Sequence, residues 1–336
     1  VTGVQTCALP ILWQEDDIYG IGEGRTSDAG LSWSAVFAIV DGVLTGYASL
    51  NAAVSGVGST VCDIVVRDST TLTGNLTVPA TATLRIENAA VINFGGFTLT
   101  INGRFPWPAG QCFTGTGKVV FGYDTCGMIF PQWWGAKGDA AADGSSGTDC
   151  TTALTAAIAA STTTGLIGGT SVHPVYVGQG NWLTGVQTFP VALRLFGGGR
   201  HSTNFIAKTG TTGKWFTDGG SASKIILEGF AMYARGLAGI THGLQLGRNG
   251  VEHGTEGYIK DIWVRDCSAA GAYGVDILAN VGIYQGITVQ ACSKGLRIGG
   301  SPSHVSEIVV MQPTEVGADL SYCTVNGLHI EADRKS

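Results

Sequence analysis

The sequence predicts an all-β fold, a parallel β-helix in which one chain winds through stacked coils. Three observations point to it: a composition of strands and turns, a recurring short apolar-polar alternation, and Gly at regular places along that repeat. Of the 336 residues 52 are Gly, and charged residues make up only 13%, about half the roughly 25% of an ordinary globular chain. The 19 basic and 25 acidic residues give a net charge of -6 with no Lys/Arg-rich stripe, which argues against nucleic acid as a partner. No apolar run reaches the roughly 18 residues of a membrane helix, and even 31–50 is broken by Ser, Asp and Gly, so no membrane span is expected.

In chain order, residues 1–11 read Val-Thr-Gly-Val-Gln-Thr-Cys-Ala-Leu-Pro-Ile. They resemble the translation of a common sequencing adapter and are set aside as adapter-derived. The cysteines that remain are Cys62, Cys112, Cys126, Cys150, Cys267, Cys292 and Cys323. Their number is odd and none forms a CxxC pair, so neither a disulfide framework nor a zinc site is expected. Residues 12–59 read as a linker or N-terminal segment, and Gly20-Ile-Gly22-Glu-Gly24 lacks the strand and helix of a dinucleotide site. Residues 60–130 form an N-terminal β-coil region, because Leu76-Thr-Val78, Leu84-Arg-Ile86, Val91-Ile92 and Leu99-Thr-Ile101 space three strands into one triangular coil. Asn75-Leu-Thr77 is an N-glycosylation acceptor sequence. Asp149 reads as the N-cap of a short helix with Leu154, Ala157 and Ile158 on one face, placed to cover an open end of the coil stack.

The second half carries two interleaved series. One comprises Leu227-Glu-Gly-Phe230, Ile259-Lys-Asp-Ile262, Tyr284-Gln-Gly-Ile287, Val305-Ser-Glu-Ile308 and Val325-Asn-Gly-Leu328. The other comprises Gly243-Leu-Gln-Leu246, Gly274-Val-Asp-Ile277, Gly295-Leu-Arg-Ile298 and Gly317-Ala-Asp-Leu320. Each alternates apolar and polar over a few residues, the period of a half-buried strand, with Gly taken as marking the bends. A repeat of about 20 to 25 residues suits a solenoid, whose coils bury their inner faces only against neighbours about 4.8 Å away. Two series mean two stacked sheets.

The stretch Pro131-Gln-Trp-Trp-Gly-Ala-Lys-Gly-Asp139 and the helix Asp149-Cys-Thr-Thr-Ala-Leu-Thr-Ala-Ala-Ile158 resemble the start of the pectate-lyase superfamily module. That module is shared by rhamnogalacturonase-like enzymes, epimerase-like proteins and phage tailspikes. Val175-Tyr-Val-Gly-Gln-Gly-Asn-Trp-Leu183 is similar to its first strand pair, and Leu195-Phe-Gly-Gly-Gly-Arg-His-Ser-Thr203 to its glycine-rich corner. The resemblance implies a right-handed, single-stranded parallel β-helix over 131–336, with a short capping α-helix and truncation at the C-terminus. It also implies a polysaccharide as partner, a place outside the cell or on a virion tail, and a tailspike-like homotrimer. The chain departs from the family pattern at Ala140, at the inserted Ala141 to Ser146 and at Cys150, so the acidic loop reads as a turn and helix cap.

If the apolar residues of each strand point inward, the outward column of one sheet reads Gln245, Asp276, Arg297, Asp319. Asp276 and Asp319 would stand two coils apart, roughly 9.6 Å, near the upper end of the ~6.5 to 9.5 Å used by inverting glycosidases. They are the candidate catalytic pair, with Arg297 as a substrate contact; the alternative is a surface ladder in which Arg297 neutralises both. On the other sheet the outward columns read Ala231, Trp263, Thr288, Val309, His329 and Tyr233, Arg265, Gln290, Met311, Glu331. Tyr233, Trp263, Arg265, His329 and Glu331 are candidate substrate contacts, since an aromatic face suits a sugar ring and Arg an acidic substituent. Against this, a loop at Ser268 to Tyr273 could cover Trp263. The six His show no HExxH spacing, His253 lying between Glu252 and Glu256, and no Gly-x-Ser-x-Gly elbow occurs, so neither metal nor cofactor is expected. Two classes follow: a polysaccharide hydrolase or lyase with paired carboxylates, and a tailspike-like adhesin or structural β-helix that does not cut.

Overall fold

The computed structural model describes residues 36–40, 43–164, 170–190, 192–218, 224–247, 256–278, 281–299, 303–321 and 323–331. The adapter-like start, the Gly20–Gly24 run and His253 lie outside them. The first described elements are a hairpin, Val36–Val40 with Val43–Tyr47, and helix α1, Leu50–Val57. Val36–Val40 also pairs antiparallel with Cys62–Val66, and α1 buries Leu50, Ala53 and Val57 under a Ser49 cap. The part of 12–59 that is described is therefore folded onto the first coil.

From Cys62 onward the strands, apart from the short antiparallel pair Thr162–Thr164 and Thr170–Val172, stack in parallel to give a β-solenoid of about ten turns. The register matches the repeat read from the sequence: Cys62 faces Ala82, Thr70 faces Ile92 and Leu76 faces Leu99. Phe105, Phe113, Phe121 and Trp133 then fill the coil interior, Phe105 stacked on Phe113 and both edge-on to Trp133. A bridge from Ile129 to Val175 carries the stack onward.

Helix α2, Thr151–Ser161, lies at this junction and buries Leu154, Ala157 and Ile158. It begins two residues after Asp149, whose Oδ1 accepts from the Thr151 N–H (3.0 Å) and Oγ1 (2.5 Å). The expected cover of an open end is in fact an internal join, because α2 packs on Lys118–Phe121 from one side and on Gln187–Thr188 from the other.

Beyond α2, among the described residues, a nine-stranded sheet and a six-stranded sheet run side by side. The first contains the long strands Lys224–Tyr233, Glu256–Arg265, Val281–Gln290, Ser303–Met311 and Cys323–Glu331; the second contains Ile240–Gly247, Tyr273–Leu278, Lys294–Gly299 and Val316–Leu320. Each long strand turns a corner at its middle. The corner column is Gly229, Asp261, Gly286, Glu307 and Gly327, with φ of 76, 53, 64, 55 and 75°. These are the third positions of the first repeat series, so Gly there answers a left-handed backbone.

The glycines of the second series have a different cause and do not mark bends. A Cβ at Gly243, Gly274 or Gly295 would overlap Cγ1 of Val264, Val289 or Val310 across the interior. One continuous apolar core runs from Val36 to Val310. No helix among the described residues is long and apolar enough to cross a membrane.

Candidate functional site

The outward column of the six-stranded sheet is in register as the sequence implies, Gln245 to Asp276 to Arg297 to Asp319. Its chemistry differs from that of an open carboxylate pair. The Asp276 side chain is only 2% exposed, because its neighbours close over it. Arg297 donates from Nε to Oδ1 and from Nη2 to Oδ2, both at 2.7 Å, and His242 Nε2 lies 3.3 Å from Oδ2. Tyr273 backs the group: His242 stacks on its ring at 5.6 Å, and the Arg297 guanidinium and Lys294 Nζ lie over it at 4.7 and 5.1 Å. Burial pushes the Asp276 carboxyl up, but the bonds from His242 and Arg297 outweigh it and hold the group below its usual value. A general acid needs the opposite shift. Asp276 in this setting is a fixed anion that orients His242 and Arg297, while Asp319 stands exposed on Val316–Leu320.

The nine-stranded sheet brings the other candidates together in two adjacent columns. Ala231, Trp263, Thr288, Val309 and His329 form one; Tyr233, Arg265, Gln290, Met311 and Glu331 form the other. These residues and the Asp276 ladder lie on different sheets, so of the expected binders only Arg297 shares a sheet with the expected acid-base pair. Arg265 places its guanidinium over Tyr233 at 4.8 Å and Trp263 at 5.6 Å. Tyr233 and Trp263 are half-buried and sit 6.1 Å apart. The ring edge-on to Trp263 is His201, at 5.6 Å, from the glycine-rich corner. Trp263 Nε1 is buried without a hydrogen-bond partner, as is Asn204 Oδ1 two coils back in the same column.

Two loops wall this face. The corner after Ala192–Gly197 sends Arg200 across several coils: Nη1 donates to Thr288 Oγ1 at 3.2 Å and Gly286 O at 3.4 Å, and Nε lies 3.1 Å from Asp261 Oδ1. The acidic loop packs Ala140 against Leu183, Ile206 and Tyr233, and its inserted Gly144 lies against Arg235. As the sequence suggests, its carboxylates make turns, Asp139 accepting from Thr148 and Asp143 from Ser145. Between Arg200 and the last strands opens a cleft of about 360 Å³ lined by Arg200, Thr288, Glu307, Val309, Leu328 and His329.

Arg200, Asp261 and Glu307 are not among the residues that the repeat pattern singles out for the site. Arg200 meets partners more than eighty residues away, so nothing local marks it. Asp261 and Glu307 did leave a signal: they stand where the repeat otherwise has Gly, and a non-Gly residue held in left-handed backbone at a repeated corner is a departure that function can explain. Among the described residues no group of three or more His, Cys, Asp or Glu is arranged to hold a metal ion. No family model, curated protein or solved structure matches the chain.

Proposed function

We propose that this protein binds a polysaccharide laid along the outer face of its nine-stranded sheet, and that it does so without cutting the chain. The observation that carries the reading is the cleft walled by Arg200 over the Thr288–Val309–His329 part of the column, which Trp263 continues one coil back. A repeating polymer meets a repeating surface there, since each coil offers the next side chain of a column at about 4.8 Å. Half-buried rings, hydroxyls and amides supply apolar contact and directional hydrogen bonds with little rearrangement. The resemblance to the pectate-lyase superfamily supports the choice of ligand, along with a place outside the cell or on a virion tail and a homotrimer testable by light scattering.

Cleavage would rest on Asp276 and Asp319, and the ion-paired state of Asp276 speaks against it. Incubation with bacterial surface polysaccharides and pectins, reading retention, reducing ends and the absorbance of an unsaturated product, tests the proposal. Retention without either product signal is expected. Reducing ends that vanish in both Asp276→Asn and Asp319→Asn would return those residues to catalysis, and absence of retention would remove the glycan.

A further inference from the structure

We infer that the polysaccharide this face accepts is uncharged, an inference that rests on the glycan-binding reading above. Of the three guanidiniums bordering the face, two are already matched by a carboxylate and the third is hydrogen-bonded to neutral oxygens. Arg200 lies 3.1 Å from Asp261, and Arg265 Nε lies 3.0 Å from Asp266 Oδ2. Arg235 donates to Ala207 O and Thr209 Oγ1, and its charge acts on Asp143. Asp261 and Asp266 both hold left-handed backbone, φ 53 and 63°, which fixes their carboxylates beside the arginines.

Two further carboxylates face the ligand side without Lys or Arg partners among the described residues. Glu307 accepts from Gln285 Nε2 at 3.2 Å, and Glu331 lies 4.0 Å from His329. A uronate or sulfate on the ligand would meet these anions, and at Arg200 or Arg265 it would share the guanidinium with Asp261 or Asp266. A sugar hydroxyl donates to Glu307 or Glu331 and accepts from Gln290 or His329, so it suits the same surface with no charge to desolvate. This reverses the expectation that Arg265 serves an acidic substituent.

Affinity electrophoresis of the protein in gels of dextran, galactomannan and mannan, against polygalacturonate, alginate and chondroitin sulfate, tests the inference. Retardation by at least one uncharged polymer is expected, changing less than about twofold between about 20 and about 500 mM NaCl, because no ion pair to the ligand is screened. Asp261→Asn keeps a residue that tolerates left-handed backbone and frees Arg200. It should gain about two- to fivefold in retardation by polygalacturonate, the range of one exposed charge pair, with no gain on the uncharged polymers. Stronger, salt-sensitive retardation of the wild type by the acidic polymers would overturn the uncharged ligand and leave the glycan reading standing. Retardation by neither set would overturn both. A variant that gains nothing on polygalacturonate would show that Asp261 does not hold Arg200 from an acidic ligand.

Discussion

Both carboxylate oxygens of Asp276 are engaged by Arg297, with His242 alongside. Neutralising the group leaves a guanidinium in a largely enclosed site short of its counter-ion. Asp276→Asn should therefore cost about 3 kcal/mol in chemical denaturation, well above a surface change, and a loss under about 1 kcal/mol would contradict the enclosed pair. The pH dependence follows in sign. The folded carboxyl sits below its unfolded value, so its contribution is complete above about pH 3.9 and is lost as pH falls from there through the folded value. Wild-type stability should drop in that acid window more steeply than that of the variant. At this scale the sequence was only half legible. Strand alternation assigned Asp276 and Arg297 to one column correctly, but enclosure depends on how His242 turns toward Asp276 and how Tyr273 backs His242 and Arg297, and an alternating pattern carries no such information.

The strands owe their regularity to two kinds of glycine that look alike in a repeat. Gly286 lies in left-handed backbone and an added Cβ would find ordinary packing space, so Gly286→Ala should cost about 1 to 2 kcal/mol from conformation alone. Gly274 lies inside the coil, where a Cβ would overlap Val289 and crowd Cys292 Sγ. Gly274→Ala should cost about 1 to 3 kcal/mol by overpacking, and Val289→Ala in the same chain should recover part of it. Gly286→Ala has no such partner. A double-mutant cycle showing no coupling between positions 274 and 289 would contradict the close approach. The elements themselves were legible because each repeat states its own inward pair, as with Phe230, Ile262, Ile287 and Ile308, which are all fully buried. Helix α2 was legible in its buried face, Leu154, Ala157 and Ile158, but not in its bounds, since Cys150 rather than Asp149 stands at its N-cap and it runs on to Ser161, nor in its role, since which surfaces meet Ala153 and Ala160 depends on coils distant in the chain.

Across the whole molecule, stacking turns short strands into long columns, and any function on the walls is read coil by coil. The columns of the nine-stranded sheet could be written down from the sequence, Trp263 with Thr288 and His329, Tyr233 with Arg265 and Glu331. The loops that wall them could not, because Arg200 reaches across several coils and the inserted Ala141 to Ser146 brings Gly144 against Arg235. Val309 lies at the centre of that face, half-buried between Thr288 and His329 and pointing away from the core. Val309→Trp should fill the cleft while changing stability by no more than about 1 kcal/mol. The most direct measurement is retardation of this variant in gels of the uncharged polysaccharide that retards the wild type. Retardation should disappear while the circular dichroism spectrum and denaturation midpoint are kept; a folded Val309→Trp protein retarded as strongly as the wild type would overturn the cleft as the binding face.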